Sequence, residues 1–130
     1  GGMGYGFLAF LKAQQKSGIH IILEKLNFNQ YLLNADLVVT GEGRFDNQSD
    51  RGKAPMGVIN FSKRYNCNIF VIAGSVENDK ASEIKYGIDK VFSVTSNEVS
   101  IEEAMASPID SLIDTARKAA KYYKKYYLDL

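Results

Sequence analysis

The sequence predicts an α/β fold in which a parallel sheet is flanked by helices. Three short apolar, β-branched runs have the composition of buried strands, at residues 36–40, 69–73 and 91–94. Helical segments separate these runs, and strand–helix–strand units of this length form right-handed parallel crossovers. The hydrophobic share of 45% and the charged share of 24% in 130 residues are typical of a globular domain.

Charge and cysteine content exclude several classes of protein. Sixteen basic and fifteen acidic residues nearly cancel, so the net charge does not favour a nucleic acid or an anionic membrane as partner. The single cysteine, Cys67, and the single histidine, His20, exclude a disulfide framework and a multi-cysteine or two-histidine metal site.

The longest apolar runs are far shorter than the roughly 20 residues that span a bilayer. We therefore expect a cytoplasmic protein.

The first 35 residues have a less regular pattern than the rest of the chain. The apolar residues at 7–11, followed by Lys12, Gln14 and Gln15, predict a short helix that ends before Ser17 and Gly18. The apolar run at residues 19–23 predicts a buried strand in which His20 is a packing residue. Asn27 or Asn29 is the expected cap of a brief helix that follows.

The start of the chain predicts a fragment of a longer protein. Four of the first six residues are glycine, which is typical of the tail of a loop that begins upstream. The remnant of an expression tag is the alternative. Because the regular alternation of strands and helices begins only near Ala35, we expect a seam between two structural units there.

Helix signals follow the first two predicted strands. The strand at residues 36–40 ends at Gly41 and has the composition of a strand buried on both faces. Pro55 is expected in the first turn of the next helix, where its missing N–H costs nothing. The residues at helical spacing in that helix are Val58, Phe61, Ser62 and Tyr65. After the strand at residues 69–73, the polar residues 77–79 lead into another short helix.

Capping patterns mark the last two helices. Ser100 and Glu103 form a capping-box pattern, and Ser107 followed by Pro108 opens the final helix. The apolar residues predicted to form one face of that helix are Ile109, Leu112, Ile113, Ala116, Ala119, Ala120 and Tyr123. Its tyrosines are expected to pack on the domain rather than stack on nucleic acid. These elements together predict flavodoxin-like or Rossmann-like layers.

Glycines follow the first two strands at the edge where ligands usually bind. In open parallel sheets this edge is the carboxyl end of the strands, which lies here around Gly41 and Gly74. Gly41 and Gly43 let the backbone approach a ligand closely or adopt a positive φ. We expect these residues, with Gly74 and Ser75, to bind substrate or phosphate.

Four charged residues accompany the first of these glycine segments. Glu42 and Asp46 are the candidate ligands of Mg²⁺, directly or through water. Arg44 can form paired hydrogen bonds with a phosphate or carboxylate, and Lys53 can reach a phosphate as a point charge. Phosphoryl transfer needs such cations to screen charge and a carboxylate to accept the proton of the nucleophile. We assign the catalytic roles to Arg44, Asp46 and Lys53, with proton handling at Asp46 and metal binding at Glu42.

A solvated connector remains the alternative, because loops commonly contain Gly, Asp, Asn and Ser. The two common phosphate-binding motifs are also absent. The Walker pattern fails at Asn47 and Ala54, and Asp46 stands where the Rossmann fingerprint requires a third glycine. A nucleotide would therefore bind here by a less common arrangement.

Three segments resemble the bacterial glycerate kinases of the first type. Residues 35–49 read ADLVVTGEGRFDNQS, residues 52–58 read GKAPMGV and residues 72–76 read IAGSV. The start of the chain is also similar to the end of that family's upstream glycine–alanine loop. The resemblance implies a kinase that uses ATP and Mg²⁺ to phosphorylate glycerate, built as a longer two-domain α/β protein.

This chain would then be the C-terminal part of such a kinase and inactive alone. Residues 1–35 would end the inserted domain, and residues 36–130 would complete the core domain. The implied partners are glycerate, ATP and the missing N-terminal part of the same protein. A homo-oligomer is an open option.

Two interpretations from other classes stand beside the kinase. A non-catalytic regulatory domain would keep the glycine segment as an anion- or nucleotide-binding site. A purely structural domain would use its charged residues for contact between subunits. Phosphorylation of glycerate by the intact protein, lost in a Lys53→Ala variant, would separate the enzyme from both.

Overall fold

The computed structural model describes residues 2–46, 54–96 and 99–128. In chain order the elements are α1 (Gly2–Leu11), α2 (Gly18–Lys25), α3 (Phe28–Leu32), β1 (Leu37–Phe45), α4 (Ala54–Ser62), β2 (Asn68–Val76), α5 (Asp79–Tyr86), β3 (Lys90–Ser93), α6 (Ile101–Ala106) and α7 (Pro108–Tyr127). Among these described helices, none is long and apolar enough to cross a membrane.

The three strands form one parallel sheet in the order β1-β2-β3. Val39 of β1 lies opposite Phe70 of β2, which in turn lies opposite Lys90 of β3. Helices connect the strands, as parallel pairing requires. The predicted α/β fold with a parallel sheet flanked by helices is confirmed.

One face of the sheet carries the main hydrophobic core under α4 and α5. Ile69 and Val71 of β2 alternate toward this face and are 3% and 0% exposed. Ile59 of α4 is fully buried against it. At the end of β1, Phe45 packs edge-on against Tyr86 of α5, with ring centroids 5.5 Å apart. This core fixes the ends of β1 and β2 relative to each other.

Aromatic side chains of α7 cover the opposite face of β2 and β3. The ring of Phe70 lies 5.9 Å from Tyr122, 5.9 Å from Tyr123 and 6.0 Å from Tyr127, all edge-on. Tyr122 also contacts Phe92 of β3 at 5.8 Å. The predicted packing of these tyrosines on the domain is confirmed.

The strand predicted at residues 19–23 is wrong, because this segment lies in helix α2. Leu23 is 4% exposed whereas Ile22 is 54% exposed, so one stripe of the helix is covered. A short apolar run fits a buried strand and a buried helix equally well. Packing on α4 decides between them, since Ile19 lies so close to Gly57 that a Cβ atom there would collide with it.

Gly2, Gly4 and Gly6 do not form the expected loop, because they lie within helix α1. Glycine lowers helix propensity by about 1 kcal/mol relative to alanine, but it does not block helical backbone angles as proline does. The first predicted helix therefore begins earlier than expected, at Gly2, and it also ends earlier, at Leu11 rather than just before Ser17, with Lys12 at a positive φ of 52°. None of its residues is buried.

The predicted starts of α3, α4, α6 and α7 are confirmed in position, and the predicted capping box of α6 is present. The Ser100 hydroxyl accepts a hydrogen bond from the Glu103 amide at 3.2 Å, and the Glu103 carboxylate accepts one from the Ser100 amide at 2.8 Å. The hydrogen bond from the Ser100 backbone lowers the pKa of the Glu103 carboxyl. Asn27 and Ser107 occupy the N-cap positions of α3 and α7 without a side-chain cap bond. Pro55 lies in the first turn of α4.

Strand β1 does not end at Gly41, as predicted, but continues to Phe45. The ladder with β2 continues past the glycines and pairs Arg44 with Ser75. A glycine weakens a strand without preventing its hydrogen bonds. Residues 41–45 are therefore part of a strand rather than of a loop.

Apolar side chains of β1 and α7 remain uncovered in the described part of the chain. Val39 is 51% exposed, although its strand was predicted to be buried on both faces. On α7, Thr115 and Ala119 are buried, whereas Ile109 and Ile113 are 72% and 42% exposed. Since the aromatic end of α7 makes the contacts with the sheet, the first half of its predicted apolar face stays open.

Candidate functional site

A cleft of about 700 Å³ lies along the carboxyl half of the sheet. Residues 39–43 of β1 form one wall, and residues 72–75 of β2 form the floor. Helix α6 and the first turns of α7 form the opposite wall. The volume is that of a small-molecule site, and the position is where open parallel sheets bind ligands.

This cleft brings together five of the residues selected from the sequence. Gly41, Glu42 and Gly43 come from β1, and Gly74 and Ser75 come from β2. The two segments are more than thirty residues apart in the chain. They meet because β1 and β2 are neighbouring parallel strands whose carboxyl ends share one edge.

Arg44 and Asp46 lie beyond the lining of the cleft, at the end of β1. The Nε atom of Arg44 is 3.3 Å from Oδ2 of Asp46, which makes an ion pair. The Arg44 side chain is 71% exposed and that of Asp46 is 17% exposed. Lys53, the remaining candidate catalytic residue, lies outside the described residues.

The space available for a side chain differs among the three glycines that line the cleft. A Cβ atom at Gly41 would collide with the carbonyl oxygen of Ile72, and one at Gly74 would lie 2.5 Å from the carbonyl oxygen of Gly43. A Cβ atom at Gly43 would meet no atom within 4 Å. The sequence suggested that Gly41 or Gly43 could adopt a positive φ, but neither does. Among the described glycines, Gly87 has a positive φ, of 55°. Of the two glycines of β1, Gly43 is the one that leaves room for a ligand.

Thr95 is a cleft residue that the sequence-based prediction missed. Its amide and its hydroxyl both donate to the carbonyl oxygen of Gly74, each at 3.0 Å. This pair of hydrogen bonds holds the end of β2 against the segment that follows β3. Thr95 comes directly after a strand, so the same rule that selected Gly74 would have found it.

The carboxylates at this edge have the chemistry that Mg²⁺ prefers. Glu42 lines the cleft, and Asp46 is partly buried at the end of the same strand. In the described ranges, no three His, Cys, Asp or Glu side chains form a group that could hold a metal ion. Mg²⁺ in kinases is commonly held by one or two carboxylates, with water and substrate phosphates completing its shell. The carboxylates of Glu42 and Asp46 are therefore suitable ligands for a Mg²⁺ ion that is also bound by the phosphates of a nucleotide.

The single histidine and the single cysteine have structural surroundings. His20 lies edge-on to Phe61, with ring centroids 6.2 Å apart, as expected of a packing residue. Burial raises the pKa of the Cys67 thiol, which favours its neutral form. Neither residue lines the cleft.

Comparison with known proteins gives a consistent result over nearly the whole chain. The model of the glycerate kinase family matches residues 1–124. The chain is 40% identical over 124 residues to "Glycerate kinase" of Bacillus subtilis (strain 168). It is 42% identical over 120 residues to "Glycerate 2-kinase" of Escherichia coli (strain K12). These alignments cover 95% and 92% of this chain and 32% of each relative.

A solved structure agrees with these relatives. It is the crystal structure of a Salmonella typhimurium LT2 protein, named provisionally as glycerate kinase 2, with a TM-score of 0.67 and 39% sequence identity. The match covers 96% of this chain and 32% of the Salmonella chain. The chain thus spans about a third of the length of the relatives that it matches. Because the family model matches residues 1–124 of the 130, the chain belongs to the glycerate kinase family.

Proposed function

We propose that this chain is the C-terminal part of a glycerate kinase, which transfers the γ-phosphoryl group of ATP to a hydroxyl group of glycerate. The observation that carries the proposal is the glycine-lined cleft at the carboxyl edge of the sheet, in a chain of this family. The backbone of Gly41, Gly43, Gly74 and Ser75 forms the side of the cleft that binds phosphate or substrate. The relatives from Bacillus subtilis and Escherichia coli that support this proposal are named as glycerate kinases.

The transfer is a displacement at the γ-phosphorus, in which the chain's residues position and neutralise charge. The hydroxyl oxygen of glycerate attacks the phosphorus, and the bond to the bridging oxygen of ADP breaks. Asp46 accepts the hydroxyl proton. Arg44 and Lys53 neutralise the transferring phosphoryl group or hold the carboxylate of glycerate. The ion pair with Arg44 keeps the carboxylate of Asp46 oriented at the end of β1.

Glu42 is the proposed ligand of Mg²⁺, and Asp46 is a second candidate. When bound with ATP, Mg²⁺ would neutralise part of the charge on the phosphates. The position of Glu42 in the lining of the cleft supports this role.

We further propose that residues 1–35 end an inserted domain and that residues 36–130 complete the core domain. Uncovered apolar surface supports a longer protein, since Phe10 of α1 is 84% exposed and Ile109 of α7 is 72% exposed. The rest of the same polypeptide is the proposed partner of these surfaces. A kinase must position two substrates together, and this chain spans only 32% of the length of the relative from Bacillus subtilis, so the chain alone is expected to be inactive. The proposed location is the cytoplasm, and a homo-oligomer is an open option.

The test is an assay of the full-length protein with ATP, Mg²⁺ and glycerate, in which ADP and phosphoglycerate are measured. We expect phosphoglycerate from the full-length protein and none from the 130-residue chain alone. A Lys53→Ala variant should be slower by about 10²-fold or more, because it lacks one charge-stabilising contact. If the full-length protein binds ATP but forms no phosphoglycerate, a regulatory nucleotide-binding domain replaces the kinase.

Changing each carboxylate to its amide should separate the two proposed roles. Glu42→Gln is expected to raise the Mg²⁺ concentration needed for half-maximal rate, with partial recovery of the rate in excess Mg²⁺. Asp46→Asn is expected to lower kcat by about 10²- to 10⁴-fold at every Mg²⁺ concentration, because an amide does not accept the proton. Initial rates measured over a Mg²⁺ titration distinguish the two results.

Glu77→Gln is the matched control, since Glu77 is an exposed carboxylate outside the lining of the cleft. It should keep the wild-type rate and Mg²⁺ dependence. Full activity of both Glu42→Gln and Asp46→Asn at low Mg²⁺ would show that neither carboxylate serves these roles.

A further inference from the structure

The cleft has two chemically different sides. On the sheet side, the backbone of the glycine segments of β1 and β2 is accessible, and Glu42 is the charged residue of the described lining. On the helix side, α6 and the start of α7 contribute apolar side chains. These are Ile101, Met105, Pro108 and Leu112.

The apolar side is open to a ligand. Ile101 is 57% exposed, Met105 is 75% exposed and Leu112 is 51% exposed. No charged side chain of α6 or α7 belongs to the described lining of the cleft. A flat, uncharged ring could cover these side chains without leaving a charge unpaired, whereas a phosphate would gain nothing from them.

We propose that the apolar wall formed by α6 and α7 binds the purine base of the nucleotide, while the phosphate chain lies along the glycine segments of β1 and β2. The proposal rests on the proposed function, because a kinase must bind a nucleoside triphosphate. A cleft of about 700 Å³ has the volume for a ligand of that size. The division of the cleft into an apolar and a polar side matches the division of a nucleotide into base and phosphates.

Hydrogen bonds of the described residues bring the start of α6 near the glycine edge. Thr95 donates to the Gly74 carbonyl through its amide and its hydroxyl. The Ser96 amide donates to the carbonyl oxygen of Val99 at 2.9 Å, and Val99 directly precedes Ser100, the N-cap of α6. The apolar wall and the glycine edge therefore lie near each other.

The experiment measures binding to the full-length protein by calorimetry, with adenosine as a probe of the base and tripolyphosphate as a probe of the phosphate chain. Leu112→Asn should raise the Kd for adenosine about tenfold or more, because the base loses an aliphatic contact. The Kd for tripolyphosphate should not change. Ile84→Asn is the matched control, since Ile84 is an aliphatic residue of α5 that is 85% exposed and does not line the cleft.

Met105→Gln is a second variant, at a residue exposed enough to be replaced without unfolding. It should also weaken adenosine binding. An unchanged Kd for adenosine in both variants, with glycerate still phosphorylated, would overturn the base site and leave the proposed function standing. If both variants lower the melting temperature but leave the Kd unchanged, another segment of the protein covers this wall and the proposal fails. Weakened adenosine binding in a protein that never phosphorylates glycerate would support the base site and overturn the kinase.

Discussion

Replacing Arg44 by alanine in the full-length protein should lower kcat for glycerate phosphorylation by about 10²-fold or more. The reason is the loss of a cation that the proposed function places on the transferring phosphoryl group or the glycerate carboxylate. The fold should not change, because the Arg44 side chain is 71% exposed and its ion pair with Asp46 is 3.3 Å long. Only the Arg44 side of this pair is exposed, and a pair open to solvent on one side contributes about 1 kcal/mol to stability. Steady-state kinetics and thermal denaturation of the same preparation measure both effects.

Arg117→Ala is the matched control for this experiment. The Arg117 side chain is 70% exposed and pairs with Asp114 at 2.8 Å on α7, outside the glycine-lined cleft. The variant removes the same charge and a comparable ion pair, so kcat and the melting temperature should both stay at the wild-type values. A wild-type kcat in the Arg44→Ala variant would show that Arg44 has no catalytic or substrate-binding role. If Arg44→Ala and Arg117→Ala lose the same amount of rate, the cause is the change in the net charge of the protein and not the loss of a contact in the site.

Alanine substitutions at the two glycines of β1 should affect different properties. Gly41→Ala should lower stability, and Gly43→Ala should weaken ligand binding. Gly41→Ala places a Cβ atom against the Ile72 carbonyl of the neighbouring strand, so β1 and β2 must separate. Such overpacking costs about 1–3 kcal/mol, which lowers the melting temperature by several degrees. Gly43→Ala meets no atom within 4 Å and should melt like the wild type. Because Gly43 lines the cleft, its alanine variant should instead weaken binding of ATP or glycerate.

Gly43→Ala is the stability control for Gly41→Ala, since both variants add one methyl group to the same strand. Thermal denaturation tests the effect on the sheet, and the Kd for each substrate tests the effect on the cleft. A wild-type melting temperature in Gly41→Ala would contradict the close approach of β1 to Ile72. Unchanged affinity for both substrates in Gly43→Ala would show that no ligand comes near this part of the backbone.

Most elements after Ala35 could be predicted because their signals are local. Buried strands are short β-branched runs, and the starts of α6 and α7 are marked by Ser100 with Glu103 and by Ser107 with Pro108. The region before Ala35 could not be predicted in the same way. Residues 19–23 are apolar without a clear period, and the contact of Ile19 with Gly57 that favours a helix joins distant parts of the chain.

The candidate site was partly predictable for the same physical reason. Gly41, Gly43 and Gly74 follow or interrupt apolar runs, which marks the carboxyl edge of a parallel sheet. The wall from α6 and α7 was not predictable, because Met105 and Leu112 look like ordinary helix-face residues in the sequence. They line a cleft only because α7 packs its aromatic end on β2 and leaves its first turns beside the glycines.

The sequence by itself determined the α/β class, the parallel order of strand and helix, the resemblance to glycerate kinases and the charged residues around Gly43. Those features depend on residue type and short spacing, which are read along the chain. Only the tertiary structure decided that β1 continues to Phe45, that Arg44 pairs with Asp46 and that Gly41 is needed by the neighbouring strand. Each of these depends on atoms brought together by the pairing of β1 with β2 or by the path of β1 beyond its glycines, and such distances are set only when the sheet forms.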